Sequence, residues 1–450
     1  MLTTFTAPAF AKTWYIEDGD ITISASETKG TNKVSQGAEP EVEDTGTIIT
    51  NREKDASSHT VTINAGNDKV EVTLDNVNIK ADSGSALISK GDVTLTLKGD
   101  NHLTGGNGGS SSYGGDGITS SGSLTISGGT VTATGGDSTS SVGSGGSGIY
   151  SVSGDVAISG GTVTANGGSG KDGYGGNGIS SSNGVAISGG TVTANGGSGN
   201  SSGGNGIRSF DVAISGGTVK AAGGNGKNGN GGYGICSFDR VAISGGTVEA
   251  AGGNGSTGGG SGIYSSVIDL SGSLELTAKA GSPNGKALSR AGHELNLDDI
   301  KEKLDPGAKV TAINANGDSK QVSIPRPVEP EKPVIPEESS SSSDGGSATP
   351  SAPVSSLPGL TVTDKSGAVI SYTSTQSGNT LTVCVGRLTA SLHVSLAALR
   401  QLRAEGIETI TFQTILCSTT LSVDELLAMG GEDAEAVLTH RSTDSSLTVG

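Results

Sequence analysis

The chain has 450 residues, of which 77 are glycine, and its formal net charge is −17. The glycines follow no triplet rhythm, which excludes a collagen-like protein, and aromatic residues make up only 3% of the chain, fewer than a globular core of this size normally buries. The acidic balance argues against nucleic acid and anionic membrane surfaces as partners. The three cysteines cannot all pair within one chain, which argues against a disulfide scaffold.

The first eleven residues resemble the end of a signal peptide. Ala9-Phe10-Ala11 has the small-x-small form of a signal-peptidase site, but the basic start and the longer apolar run are missing. We therefore interpret residues 1–11 as a truncated signal peptide and expect a secreted, extracellular or cell-surface-associated protein; a disordered tail is the alternative. Because no run of 18 apolar residues follows, we expect no membrane insertion.

Short strands are predicted over the next part of the chain. Val93, Leu95 and Leu97 alternate with polar residues as in a half-buried strand, so the sequence predicts that coils have begun by about residue 60. Trp14 is the only tryptophan. Since the end of a stack of coils exposes unpaired backbone and apolar core, we predict that Trp14 belongs to a cap.

A repeated hexapeptide, Ile-Ser-Gly-Gly-Thr-Val, organises the middle of the chain. Successive copies begin 27 to 32 residues apart, and a Gly-Ile pair keeps step with them. This period, with strand-forming residues and no helical pattern, predicts a β-solenoid. The copies begin at Ile126, Ile158, Ile187, Ile214 and Ile243.

One coil, residues 178–205, illustrates the predicted packing. Its inward side chains are predicted to be Ile179, Val185, Ile187, Val192 and Ala194. Stacking would place Ile187 beside Ile158 and Ile214 at the strand spacing of ~4.8 Å. Asn166 and Asn195 occupy equivalent turn positions and predict the start of an amide ladder.

The remaining sequence divides at a proline-rich segment. Residues 12–324 are predicted to be the capped solenoid, with residues 286–323 closing it. Residues 325–358 contain eight of the twelve prolines and a serine run, which is typical of a linker. Residues 359–450 are predicted to form a small α+β domain of unassigned role, with helices at 395–405 and from Ser422.

The opening Trp-Tyr-Ile-Glu-Asp-Gly-Asp-Ile-Thr-Ile from Trp14, the segment Val72–Ile79 and the hexapeptide coils together resemble a carbohydrate-binding domain family in secreted repeat proteins of gut Firmicutes. The resemblance covers about residues 12–285. It implies an all-β, right-handed parallel β-helix of pectate-lyase-like shape, with ~28–31 residues per coil. It also implies an acidic plant or cell-wall polysaccharide as partner, with calcium in the fold.

Acidic residues in or beside the coil turns are the candidate calcium ligands, because calcium prefers oxygen ligands. The alternative is that these carboxylates keep the turns soluble. The candidates are Asp116, Asp155 and Asp172.

Exposed tyrosines are the candidate sugar contacts, since flat rings can stack on pyranose faces. The alternative is that each ring anchors its own coil. The candidates are Tyr113, Tyr150, Tyr174, Tyr233 and Tyr264, together with Arg208 as a cationic contact.

Three functions remain open from the sequence. Non-catalytic polysaccharide binding by a monomer is preferred. An adhesin-like stalk without a glycan site is the second. A calcium-dependent polysaccharide lyase, with Arg208 or Lys220 as the base, is the third. The regular coils contain no histidine, and the chain has no phosphate loop, Ser/His/Asp set or zinc spacing.

Overall fold

A computed structural model describes residues 11–109, 113–140, 143–325, 359–364, 369–370, 372–377, 379–385, 389–414, 418–429, 434–441 and 444–449. The chain divides into two compact units, Met1–Val328 and Glu329–Gly450. The signal-peptide prediction, except for Ala11, and nearly all of the predicted linker lie outside the described residues.

The first unit is a parallel β-solenoid of about 11 turns, which confirms the predicted fold class. Its N-terminal half contains β1 (Thr13–Tyr15), β2 (Ile21–Ala25), β3 (Asn32–Gln36), β4 (Val42–Asp44), β5 (Ile48–Thr50), β6 (Val61–Asp75), β7 (Asn78–Lys80), β8 (Leu87–Thr104), β9 (Ile118–Ser121), β10 (Leu124–Thr134), β11 (Ile149–Ser151), β12 (Val156–Ile158) and β13 (Thr162–Asn166). The following strands are β14 (Ile179–Ser181), β15 (Gly184–Ile187), β16 (Thr191–Asn195), β17 (Ile207–Ile214), β18 (Thr218–Ala222), β19 (Ile235–Ile243), β20 (Thr247–Ala251), β21 (Ile263–Ser265), β22 (Val267–Leu270), β23 (Glu275–Lys279), β24 (Leu288–Arg290), β25 (His293–Glu294), β26 (Lys309–Ile313) and β27 (Ser319–Ser323).

Each regular coil contributes to three parallel ladders, which we name by their sequences: the Gly-Ile ladder, the Val-Ala-Ile ladder and the Thr-Val ladder. Ile187 pairs with Ile158 in the coil before and with Ile214 in the coil after, as predicted. All three isoleucines are at most 1% exposed. Each such side chain contributes roughly 1.5–3 kcal/mol through burial, so the stack of coils is the cooperative unit.

Parallel pairing is present before residue 60, in agreement with the prediction, and it starts close to the N-terminal end of the described residues. Ile21–Ser24 already pairs in parallel with Val61–Asn64. The same strand β2 also pairs antiparallel with β3, and this hairpin lies at the N-terminal end. The repeated sequence pattern of the later coils is not recognisable at this end of the solenoid, because one short segment takes part in both parallel and antiparallel pairing.

Buried serines form a polar row inside the Gly-Ile ladder that the sequence did not predict. Ser120, Ser151 and Ser181 pair in successive coils and are at most 4% exposed. Their hydroxyls donate to turn carbonyls, as from Ser151 to Gly154 at 2.9 Å. A small hydroxyl therefore fits inside because the sharp turn beside it supplies a hydrogen-bond acceptor.

The glycine-rich loops also stack on one another. Gly170, Gly199, Gly226 and Gly255 form parallel bridges from coil to coil. Side chains reinforce this order: Asn195 Nδ2 donates to Asn166 Oδ1 at 2.9 Å, which confirms the predicted amide ladder. Pairing therefore continues around much of each coil, beyond the three ladders.

Both ends of the solenoid are closed by antiparallel elements. Trp14 is 3% exposed within the first coil, in agreement with its predicted capping role. A 3-10 helix, Ile16–Asp18, follows it. At the other end, the 3-10 helix Leu297–Lys303 and the β26–β27 hairpin cover the last coil.

The second unit is an α+β fold, as predicted. Two four-stranded sheets accompany two helices, of which the first is capped by Ser395 Oγ accepting from the Ala398 N–H. No helix in the described part of the chain is long and apolar enough to span a membrane. The elements are β28 (Leu360–Thr363), β29 (Thr373–Ser377), β30 (Thr380–Cys384), β31 (Ala390–Ser395), α1 (Leu396–Ala404), β32 (Thr409–Gln413), β33 (Ser418–Ser422), α2 (Val423–Met429), β34 (Glu435–Arg441) and β35 (Asp444–Val449).

Candidate functional site

Two phenylalanines are exposed on successive coils of the solenoid. Phe210 is 49% exposed and Phe238 is 52% exposed, both at the corner between a Gly-Ile strand and a Val-Ala-Ile strand. The Ser237 hydroxyl donates to the Phe210 carbonyl at 2.5 Å, which ties the two corners together. Sequence reasoning missed both rings. The available signal was Ser-Phe-Asp, repeated where the preceding coil has Ser-Ser-Asn.

Arg208 lies against this corner. Its guanidinium carbon is 4.8 Å from the centre of the Phe238 ring, a cation–π contact between adjacent coils. At an exposed site such a contact contributes about 0.5–1 kcal/mol, enough to favour one orientation of the arginine. Along the Gly-Ile ladder, Arg208 pairs with Cys236, and Cys236 pairs with Tyr264.

Tyr264 stacks on Tyr233, with ring centres 4.9 Å apart and planes inclined by 18°. Burial raises the pKa of the Tyr233 hydroxyl. Cys236 lies between the arginine and the tyrosines, and burial raises the pKa of its thiol to about 11, despite the opposing charge of Arg208. The thiol is therefore neutral near pH 7 and acts here as a small apolar group.

These side chains lie on three successive coils as two contacting pairs, Arg208 with Phe238 and Tyr233 with Tyr264, and with Phe210 we call them the aromatic ridge. It consists of Arg208, Phe210, Tyr233, Phe238 and Tyr264. Of the six predicted sugar-contact residues, Tyr233 and Tyr264 stack on each other, and Arg208 lies two coils before Tyr264 on the Gly-Ile ladder.

The other three candidate tyrosines belong to earlier coils. Tyr150 is half-buried on the Gly-Ile ladder, two coils before Arg208. Tyr113 and Tyr174 are 69% and 58% exposed in the glycine-rich loops. Because the loop hydrogen bonds connect these two positions through one intervening coil, their backbones are separated by roughly 10 Å. They form a second exposed pair of rings, separate from the ridge.

The three candidate metal ligands occupy three different positions in the coil. Asp116 precedes a Gly-Ile strand, Asp155 precedes a Val-Ala-Ile strand, and Asp172 is exposed in a glycine-rich loop. Asp155 Oδ1 accepts from Asn183 Nδ2 at 2.7 Å. Within the described residues no three His, Cys, Asp or Glu side chains converge as a metal site would require.

Asp116 has protein donors on both oxygens. Its Oδ1 accepts from the Ser147 N–H at 2.6 Å and its Oδ2 from the Thr119 hydroxyl at 2.7 Å. Burial nevertheless raises the pKa of this carboxyl group, and the two hydrogen bonds only partly oppose the shift. The geometry gives Asp116 a structural task, joining one coil to the next.

We expect Asp116→Asn to stabilise the solenoid at neutral pH. A raised folded-state pKa means that the folded state binds more protons than the unfolded one, so this group's contribution to stability falls as pH rises above about 4. The amide carries no charge and can keep the bond from Ser147. Urea unfolding of both proteins at several pH values measures the difference, which should shrink toward pH 4. A difference in stability that is constant with pH would contradict a raised pKa of the Asp116 carboxyl group in the folded protein.

The two candidate catalytic bases do not share a site. Lys220 lies on the Thr-Val ladder, where its amino group is 3.4 Å from the Glu249 carboxylate of the next coil. Arg208 lies on the Gly-Ile ladder. The two alternative bases therefore lie on different ladders of the same coil.

The chain matches no protein-family model, no curated protein and no solved structure. The resemblance to a carbohydrate-binding family therefore stays a prediction.

Proposed function

We propose that the solenoid is a non-catalytic polysaccharide-binding module of a secreted or cell-surface protein, and that the aromatic ridge is its binding site. The observation that supports this most directly is the exposure of Phe210 and Phe238 on successive coils. Large apolar rings left in water by a folded chain are typical of binding surfaces. Ring faces pack well against the C–H faces of sugars.

Arg208 adds hydrogen-bond donors to the aromatic ridge, by which it can select among sugars. Its guanidinium is held beside the Phe238 ring and remains exposed, so its N–H groups can donate to hydroxyl or carboxylate oxygens of a bound sugar. The ridge crosses several coils, so an extended polymer would contact more than one ring. In this proposal calcium assists the binding of the polysaccharide, and no residue is named as its ligand.

The test is the double substitution Phe210→Ala/Phe238→Ala, with binding to pectin, xylan and cellulose fragments measured by titration calorimetry with and without chelator. Loss of two anchoring rings is expected to weaken binding at least tenfold, since central aromatic contacts commonly contribute about 2 kcal/mol or more. Both rings are exposed, so the fold should remain intact.

Tyr113→Ala/Tyr174→Ala is the control, because it removes two exposed rings from the glycine-rich loops and leaves the aromatic ridge unchanged. It should leave binding within about twofold. If no fragment binds to the wild-type protein, or if the two double variants behave alike, the ridge is not a glycan site.

An adhesin-like stalk is the second candidate, favoured by the pairing that runs through the loops as well as the strands. That function needs the stacked backbone but no exposed rings. It predicts no glycan binding and unchanged surface adhesion in the Phe210→Ala/Phe238→Ala variant, whereas the preferred function predicts loss of both.

A further inference from the structure

A cleft of about 550 Å³ opens at the C-terminal end of the solenoid, and none of the aromatic-ridge residues is among those that line it. One wall is the segment that leads into the 3-10 helix, and the other is the β26–β27 hairpin. Both walls belong to the elements that close the last coil. The lining residues are Ala287, Glu294, Leu295, Asn296, Leu297, Asp298, Ala312, Asn314, Asp318, Lys320 and Gln321.

Several of these polar groups hold the walls in place. Glu294 accepts from the backbone N–H groups of Ala287 at 3.2 Å and of Leu288 at 2.9 Å. Asn314 Oδ1 accepts from the N–H of Asp318 at 2.9 Å, and Asn314 Nδ2 donates to the Asp318 carboxylate at 3.0 Å. The cleft is therefore pre-formed by hydrogen bonds within its own walls, as ligand sites usually are.

Other groups are available to a ligand. Lys320 lines the cleft, forms no ion pair within 4 Å in the described part of the chain, and its positive charge contributes to lowering the pKa of the Asp298 carboxyl group. Gln321 accepts from the Thr311 hydroxyl at 3.4 Å at the rim of the cleft. Asp298 accepts from Lys301 at 2.6 Å, and this hydrogen bond lowers the pKa of its carboxyl group, so it stays an acceptor near pH 7.

The floor of the cleft is apolar. Leu295, Leu297 and Ala312 line it and are themselves less than one-tenth exposed. Donors, acceptors and an apolar floor in one cavity suit a molecule with many hydroxyls and a C–H face, because each hydroxyl both donates and accepts.

We propose that this cleft binds a short neutral saccharide or the neutral end of a longer one. The volume lies within the usual range for small-molecule sites, roughly 300–1,000 Å³. Three carboxylates, Glu294, Asp298 and Asp318, outnumber the single ammonium of Lys320 in the lining, so an anionic sugar is disfavoured. The inference rests on the proposed sugar-binding function for its ligand class, but it uses none of the ridge residues.

The experiment uses the full chain, with cellotriose and xylotriose as neutral probes and trigalacturonate as the anionic probe. Ligand-observed saturation-transfer NMR and calorimetry should detect a neutral trisaccharide and no trigalacturonate at the cleft. Lys320→Met should weaken binding of the neutral probe at least fivefold. Lys279→Met, an exposed lysine one coil earlier on the Thr-Val ladder, should leave it unchanged.

The ridge variant Phe210→Ala/Phe238→Ala separates the two proposals. Trisaccharide binding that survives this variant but weakens with Lys320→Met supports the cleft, whether or not polymer binding is found. Trisaccharide binding that is lost in the ridge variant and unaffected by both Lys320→Met and Asp298→Asn overturns the cleft and leaves the ridge standing. Absence of any trisaccharide binding to the wild-type chain also overturns the cleft.

Discussion

Gly161→Ala is expected to destabilise the solenoid by roughly 2–4 kcal/mol, whereas Gly160→Ala, one residue earlier, is expected to change stability by less than ~1 kcal/mol. Gly161 has φ of +77°, a left-handed backbone conformation that costs other residues ~1–2 kcal/mol. A Cβ atom there would also overlap the Gly128 carbonyl oxygen in the preceding coil. The substitution therefore strains the turn and forces two coils apart.

Gly160 is the matched control because a Cβ atom at that position would meet nothing within 4 Å. Urea unfolding followed by circular dichroism, together with hydrogen exchange of residues 149–195, measures both variants. The Gly161 variant should lose amide protection on both sides of the substitution. Equal midpoints for the two variants would show that the second glycine of the hexapeptide does not set the coil spacing.

Asp44→Ala is expected to loosen the N-terminal end of the solenoid at a cost of about 3 kcal/mol. The Asp44 carboxylate is fully buried and accepts from Trp14 Nε1 at 2.7 Å, from the Lys12 N–H at 3.0 Å and from the Gly46 N–H at 3.2 Å. Alanine would leave three donors without an acceptor. The first coil holds Trp14 through one of these bonds, so the indole should become more exposed.

Trp14 is the only tryptophan, so its fluorescence reports on this end of the chain alone. The emission maximum of the Asp44→Ala variant should shift to longer wavelength at urea concentrations where the wild-type protein is unchanged. Glu41→Ala is the control, because that side chain is exposed and makes only a 4.0 Å ion pair with Lys33. An unchanged emission maximum in Asp44→Ala would mean that hydrogen bonding to this carboxylate does not hold the cap.

The sequence by itself determined the stacking of the regular coils. Inward side chains alternate with outward ones and recur once per coil, so shifting the register by one residue would turn the isoleucines outward. For this reason the pairing of Ile187 with Ile158 and Ile214, and the amide ladder between Asn166 and Asn195, could be predicted. Capping by Trp14 followed from the need to cover an open end.

Only the tertiary structure decided which side chains meet. Tyr233 and Tyr264 are a coil apart in sequence and occupy different positions within their coils, so no repeat alignment places their rings 4.9 Å apart. The corner that contains Phe238 is one residue longer than the corner that contains Phe210. The resulting register shift pairs Asp211 with Arg240. The ridge and the cleft both depend on corners and caps, where loop length and local hydrogen bonds set side-chain direction. The periodic pattern carries information about the strands, because burial enforces it there, and little about the surfaces between them.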